Sequence, residues 1–388
     1  MSPLLRETAA RSRMEQARKV GDAPRTCGGK DRLNAGGEEH RQMSDEEDLG
    51  AFLNRWAGSS PEKADVAETV TRLSEACCRI GELIGRGPLA GALGAETGHQ
   101  TGADPQKEID VLANNLIVEA LKGAPVATLG SEELEWPLPI NPGAPLAVAV
   151  DPIDGSSNTD VNTSIGTIFT VLPARCQGVD GSSFLQPGTA QLAAGFAVYG
   201  PFTSLVLTVG RGTQIFTLDR PSGRFLLTNE KVDIPPATRE YAINASNYRH
   251  WDEAIRTYVD DCLRGRGGPR GKNFNMRWTA SPVADIYRIL TRGGIFLYPS
   301  DLRESYTMGR LRLVYEANPL GWIIEQAGGA ASSGYERILD VPPTSLHQRT
   351  PFIAGSRTEV EYVVRLHHDP HGLGERSPLF GRRGLFRI

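Results

Sequence analysis

The chain has few cysteines, no long apolar run and no excess of positive charge. Five cysteines, Cys27, Cys77, Cys78, Cys176 and Cys262, stand among 388 residues. They form no Cys-x-x-Cys pair and no zinc spacing, and an odd, scattered set fits free thiols in a reducing compartment. No apolar stretch reaches the roughly 18 residues a membrane-spanning helix needs. The formal net charge of −4 argues against nucleic acid as the main partner. None of the seven histidines has the setting of a catalytic triad. There is no internal repeat. The expectation is a cytoplasmic protein with neither membrane nor nucleic acid as partner.

The length suffices for two domains and a large core. Residues 1–48 are rich in Arg, Lys, Glu, Gly and Ser and have little that could form a core, so a disordered extension is expected. They contain no apolar segment of the kind a secretory signal needs. Ser60-Pro61 reads as a helix entry, and Val66, Val70, Leu73, Cys77, Ile80 and Ile84 repeat at helical spacing behind it. A mobile Gly/Ala-rich segment over 85–102 and a second helix over 106–122 are expected next. Apolar runs at 126–129, 146–150, 165–172, 193–199, 204–209 and 213–218 read as strands. Pro235-Pro236 marks a junction between an N-terminal domain over 49–236 and a C-terminal domain over 237–370. The second domain alternates strand and helix, with strands expected at 241–244, 295–298 and 311–315. A polar tail covers 371–388. The fold class is α/β.

The most informative stretch is Asp151-Pro152-Ile153-Asp154-Gly155-Ser156-Ser157. It sets two carboxylates three residues apart at the end of an apolar run, followed at once by backbone N–H groups and hydroxyls. Hard divalent cations take oxygen ligands, and phosphate takes N–H donors at a turn. The same residues could form only an acidic turn. Glu132 and Glu133 follow the 126–129 strand, and Glu316 follows the apolar run at 311–315. Acids at several strand ends can meet on one side of an α/β sheet, where they would repel unless cations intervene. That pattern suits metal-assisted hydrolysis of a phosphate ester. Asp110, near the start of the second helix, could be no more than a favourable charge at the helix dipole. Ser156 and Ser157 have no partner that would make either a nucleophile.

Gly130-Ser131-Glu132-Glu133, the run from Asp151 to Asn158, Asn244 and Leu311-Arg312-Leu313-Val314-Tyr315-Glu316-Ala317-Asn318-Pro319 together resemble class 1 fructose-1,6-bisphosphatases. Glu325 to Gly329 and Arg337 to Asp340 fit the same family, and the resemblance extends from about residue 50 to 368 in the expected order. It implies the two-domain sugar-phosphatase fold, with helix and sheet in alternating layers, and hydrolysis of the 1-phosphate of fructose 1,6-bisphosphate, in gluconeogenesis or carbon fixation. It implies two or three Mg²⁺ ions per subunit, with Mn²⁺ as an alternative, held by Glu132, Asp151, Asp154, Glu316 and the Ile153 carbonyl. Glu133 and Asp110 match the pair that activates water, and Asp104 stands where a supporting acid is found. Gly155, Ser156 and Ser157, with Asp154, would hold the scissile phosphate. Asn244, Tyr298 and Arg310 match positions for the sugar and its 6-phosphate. Arg277 matches one supplied by a neighbouring subunit, so a homotetramer is implied.

Two departures bear on the substrate. Trp278 stands where a tyrosine is expected, and Arg310 where a lysine is expected. Sedoheptulose 1,7-bisphosphate is therefore an alternative substrate. The residues expected to bind inhibitory AMP are replaced by Pro145-Leu146 and Pro173, which implies weak or absent AMP inhibition. More distant alternatives are an inositol or nucleotide phosphatase of related fold and a sugar-phosphate sensor without turnover.

Overall fold

The structure is a computed structural model that describes residues 47–101, 104–175 and 181–369, without the side chains of 99–101, 104 and 105. Most of the expected extension, the polar tail and Cys176 lie outside the described residues. Everything below concerns those described.

Two helices open the chain, α1 (Leu49–Ala57) and α2 (Pro61–Gly85). Each starts at a side-chain cap. Asp48 accepts from the Ala51 amide at 2.8 Å, and Ser60 accepts from the Lys63 amide at 3.3 Å. The Gly/Ala-rich segment carries strand β1 (Glu96–Thr101), which pairs antiparallel with β2 (Asp104–Lys107). That ladder takes up Gln106 and Lys107, so the next helix, α3 (Glu108–Leu121), begins two residues later than its apolar stripe suggested.

Eight strands form the larger sheet: β3 (Val126–Ser131), β4 (Leu138–Pro139), β5 (Leu146–Asp154), β6 (Ile165–Pro173), β7 (Ala193–Tyr199), β8 (Thr203–Thr208), β9 (Gln214–Asp219) and β10 (Arg224–Asn229). Their order is β10-β9-β8-β7-β6-β5-β3-β4, antiparallel throughout except for the parallel pair β3–β5. β5 is buried along its whole length, as a continuous apolar run requires when both faces are covered.

The second half contributes β11 (Glu240–Ala242), α4 (Glu253–Leu263), β12 (Asn275–Met276), α5 (Pro282–Arg292) and β13 (Ile295–Tyr298). Then come β14 (Leu311–Arg312), α6 (Asn318–Gln326), β15 (Ala330–Ser332), β16 (Arg349–Thr350), β17 (Phe352–Gly355) and α7 (Arg357–His368). A five-stranded sheet runs β12-β11-β13-β17-β15.

The alternation of side chains along the strands sorts the core into layers. On β6, Phe169 and Val171 face α2 and α3, while Ile168 faces α5 and α6. On β13, Phe296 joins that middle helical layer, while Ile295 and Leu297 pack on the far side against α4 and α7. The described chain is thus built as helix, sheet, helix, sheet, helix. The alternating α/β architecture expected from the sequence is the one found.

One expectation is corrected. The apolar run at 311–315 is a strand only at Leu311–Arg312, and Leu313–Ala317 form a five-residue π-helical turn leading directly into α6. Glu316 therefore sits at the head of a helix, and no strand ends there. A buried apolar run of this length does not distinguish strand from helix by periodicity.

Candidate active site

A cavity of about 320 Å³ opens where β3 and β5 end, and α3, α5 and the π-helical turn close its walls. Four buried acids face it, Asp110, Asp151, Asp154 and Glu316, each between 3% and 6% exposed.

Residues three apart on a regular strand point to opposite faces. Asp151 pairs with Ile168 and Asp154 with Gly166, so three steps on β5 match two on β6. This one-residue bulge turns both carboxylates the same way. Asp151 Oδ1 accepts from the Ile153 amide at 3.0 Å, and Asp154 Oδ2 accepts from the Val283 amide at 2.9 Å, in the first turn of α5. Glu316 is aimed by its own turn, because its Oε2 accepts from the Arg312 amide at 2.6 Å. As a result, ligand oxygens of Asp151, Asp154 and Glu316 all lie within 4.8 Å of one another.

Burial and mutual repulsion raise the pKa of these acids. Asp151 and Glu316 are pushed well above the carboxylate range, first by burial and then by the Glu132 charge. Asp154 rises to about 7 for the same first reason, with the Val283 amide pulling against it. The cluster must be neutralised by protons or by cations, and hard oxygen donors from separate elements suit Mg²⁺ or Mn²⁺. The residues therefore fit a divalent cation.

Asp110, whose place in the sequence can be explained by capping alone, both caps α3 and lines the cavity. As the third residue of α3 it accepts from the Lys107 amide at 2.8 Å, which is helix capping. Its other oxygen, Oδ1, is buried with no hydrogen-bond partner. Its pKa is raised to about 7, by burial first and the Glu133 charge next. Glu133 Oε2 accepts from the Gln106 side chain at 2.5 Å, and Glu132 lies 3.7 Å from the Arg312 guanidinium.

Gly155 holds a left-handed conformation at φ +76°, and a Cβ there would meet Ser281 at 3.2 Å. It opens the 3₁₀ turn Ser156–Val161, whose first N–H groups have no partner within the turn. Gly155, Ser156, Ser157 and Ile153 all line the cavity. Also lining the cavity, Arg310 lies over the Tyr306 ring, 3.8 Å from its centroid, and donates to the Tyr298 hydroxyl at 3.2 Å.

The cavity thus collects Asp110, Glu132, Glu133, Asp151, Ile153, Asp154, Gly155, Ser156, Ser157, Tyr298, Arg310 and Glu316. It does not collect three expected residues. Asn244 caps the 3₁₀ turn Ala245–His250, accepting from the Ser246 amide. Arg277 lies 3.8 Å from Glu240 with its side chain about half exposed. Trp278 stacks on Phe296 at 5.7 Å and sets its edge against Tyr298. The side chain of Asp104 lies outside the described residues. Gln106, Lys107, Tyr306, Arg312 and Arg349 also line the cavity and were not singled out from the sequence. Arg312 carried a signal, since it lies inside the motif that ends at Glu316. The others carried none.

Known proteins resemble the chain along most of its length. Residues 52–230 match the family model of the fructose-1-6-bisphosphatase N-terminal domain, and residues 234–368 match that of its C-terminal domain. A class 1 fructose-1,6-bisphosphatase of Sinorhizobium medicae is 57% identical over 326 residues, covering 83% of this chain and 93% of its own. Another, of Rhizobium meliloti, is 57% identical over 346 residues, covering 87% and 99%. The crystal structure of Leishmania major fructose-1,6-bisphosphatase in holo form superposes with a TM-score of 0.77 at 34% identity, covering 84% of this chain and 99% of that one.

Proposed function

The chain belongs to the class 1 fructose-1,6-bisphosphatases, and from that membership we propose how its acidic cavity works. The reaction is hydrolysis of fructose 1,6-bisphosphate, and the bond broken in this reading is the 1-phosphate ester. Water adds to phosphorus as that bond breaks, and the products are fructose 6-phosphate and inorganic phosphate. The observation that carries the reading is the convergence of Asp151, Asp154 and Glu316, all buried, with ligand oxygens within 4.8 Å.

In this reading two or three Mg²⁺ ions, replaceable by Mn²⁺, are held by Glu132, Asp151, Asp154, Glu316 and the Ile153 carbonyl. When bound, they would supply neutralising charge, Lewis acidity toward the phosphate oxygens and a lowered pKa for the attacking water. Glu133 and Asp110 take the proton of that water. The unpartnered Oδ1 of Asp110 is the free acceptor this task needs. The amides and hydroxyls of Gly155, Ser156 and Ser157 hold the transferring phosphoryl oxygens. Arg310, Tyr298 and Asn244 bind the sugar and its distal phosphate, and Asp104 supports the water-activating pair. Arg312, the buried cation beside Glu132, limits the repulsion among the acids.

The reading includes a homotetramer. Arg277 lies apart from its own subunit's cavity, half exposed, as a residue serving a neighbour would be. It also includes two domains, over 49–236 and 237–370, and a cytoplasmic location, which suits the unpaired Cys77, Cys78 and Cys262. No helix among the described residues is long and apolar enough to cross a membrane.

A second substrate, sedoheptulose 1,7-bisphosphate, is favoured by one observation. Trp278, at the position expected to contact the 6-phosphate, is turned onto Phe296 instead. Phosphate release from fructose, sedoheptulose and inositol phosphates, with and without Mg²⁺, tests the reading. Preference for inositol phosphate, or turnover independent of metal, would defeat it.

A further inference from the structure

Three acids of the cavity, Glu132, Glu133 and Glu316, stand on two pieces of backbone that neither strand nor regular helix holds. Glu132 and Glu133 lie in the turn after β3, where the Leu134 amide bonds to the Ser131 carbonyl at 3.2 Å. Glu316 lies in the π-helical turn Leu313–Ala317. Such a turn is rare and persists only where its surroundings hold it.

His347 touches both pieces, although it does not line the cavity. Its Nε2 lies 3.0 Å from the Leu134 carbonyl oxygen, and its Nδ1 lies 2.8 Å from the Tyr315 hydroxyl. A carbonyl only accepts, so Nε2 carries the proton. Burial lowers the pKa of the ring, and the nearby Arg312 cation adds to that, which favours the neutral form. Nδ1 then presents a lone pair, and Tyr315 donates its O–H to it. Tyr315 is fully buried and meets the imidazole edge-on, with ring centroids 5.9 Å apart.

The segment around His347 grips the same turn through its backbone. The Leu313 amide donates to the Gln348 carbonyl at 2.7 Å, and β14 pairs with β16 through Arg312 and Arg349. On the other side Leu346 packs so closely on β3 that a Cβ at Gly130 would meet it at 2.9 Å.

We propose that His347 is a positioning residue for the metal site: its imidazole ties the Glu132–Glu133 turn to the π-helical turn bearing Glu316, and Tyr315 is its partner. The tie holds the two groups of carboxylates at the separation that a cation needs. It rests on the reading of Glu132 and Glu316 as metal ligands.

The test is Mn²⁺ binding to the metal-free protein, followed by electron paramagnetic resonance of the free ion. The variants are Tyr315→Phe, which removes one atom from a buried ring, His347→Leu, and the two together. Each single change is expected to weaken Mn²⁺ binding about tenfold, in the range found for groups that orient metal ligands. The double variant is expected to be no weaker than His347→Leu, because both changes cut the same tie. His347→Gln, which keeps a donor for the Leu134 carbonyl, should recover part of the loss. Unchanged Mn²⁺ affinity in Tyr315→Phe and His347→Leu, or losses that add in the double variant, would overturn the tie. A wild-type protein that binds no Mn²⁺ would instead overturn the metal reading beneath it.

Discussion

Asp151 and Asp154 face one cavity because a single extra residue is inserted between them, so that three steps along one strand oppose two along its neighbour. A regular strand would send one carboxylate to the opposite face. The bulge brings two buried carboxylates together, and the cost of charging both is what a bound cation would offset.

Neutralising one of the two should therefore separate stability from metal binding. Asp151→Asn is expected to melt higher than the unaltered protein when both are metal-free at pH 8, because one buried charge is gone. Mg²⁺ should no longer raise its melting temperature, whereas it should raise that of the unaltered protein. Differential scanning calorimetry with and without Mg²⁺ measures both effects.

The pH dependence has a definite sign. Asp154 is raised from 3.8 to about 7, and Asp151 and Glu316 are also raised well above the usual carboxylate range, by burial and by their neighbours. An acid whose pKa is raised by folding binds more protons folded than unfolded. Its stabilising effect is full below about pH 4 and is lost as pH rises through the folded pKa. The metal-free protein should lose stability from about pH 4 to pH 7 and above. The Mg²⁺-induced rise in melting temperature should grow over the same interval, since cation and proton compete for the same oxygens. Melting curves at pH 5, 6, 7 and 8 check this, and a Mg²⁺ effect that shrinks with pH would contradict it.

Glu133 should be separable from the metal ligands. Glu133→Gln keeps the size and a hydrogen-bonding end group but cannot take a proton from water. Turnover is expected to fall by about 10²–10⁴-fold, while the Mg²⁺-induced rise in melting temperature survives. Near-full turnover with metal binding intact would remove Glu133 from its role as base.

Arg310 should govern substrate affinity and discrimination. Its guanidinium is fixed by the Tyr306 ring and the Tyr298 hydroxyl. Arg310→Ala is expected to raise KM for fructose 1,6-bisphosphate by about 10–100-fold, the loss of a charge-assisted phosphate contact, with a smaller change in kcat. Arg310→Lys should shift the preference between fructose and sedoheptulose bisphosphates. Steady-state kinetics with both substrates decide it.

Much of this site could be read from the sequence, because its acids follow apolar runs. Leu146 to Val150 is a buried strand, and the residues after it are where such a strand delivers ligands. Ser60-Pro61 opens its helix as the residue types require. What could not be read depends on register and tertiary contact. The bulge after Asp151 exists only relative to the neighbouring strand. Leu311 to Tyr315 has the composition of a strand, but only Leu311–Arg312 pair as one, and from Leu313 the chain winds as a π-helical turn into the following helix. Asp110 could have been only a cap, and it is a cap that also lines the cavity, with its second oxygen unpartnered. Trp278 could be assigned by position but not by direction, since its packing on Phe296 brings together residues from separate elements. His347 carried no signal, because its partners, Leu134 and Tyr315, are distant in sequence from it.

The central claim is metal-dependent attack of water on the 1-phosphate. Phosphorus-31 NMR of the reaction in water half enriched in ¹⁸O tests it in one measurement. Fructose 6-phosphate and inorganic phosphate carrying one solvent oxygen are expected, in the presence of Mg²⁺ and not after chelation. Fructose 1-phosphate as the product, unlabelled phosphate, or turnover that survives chelation would contradict the account.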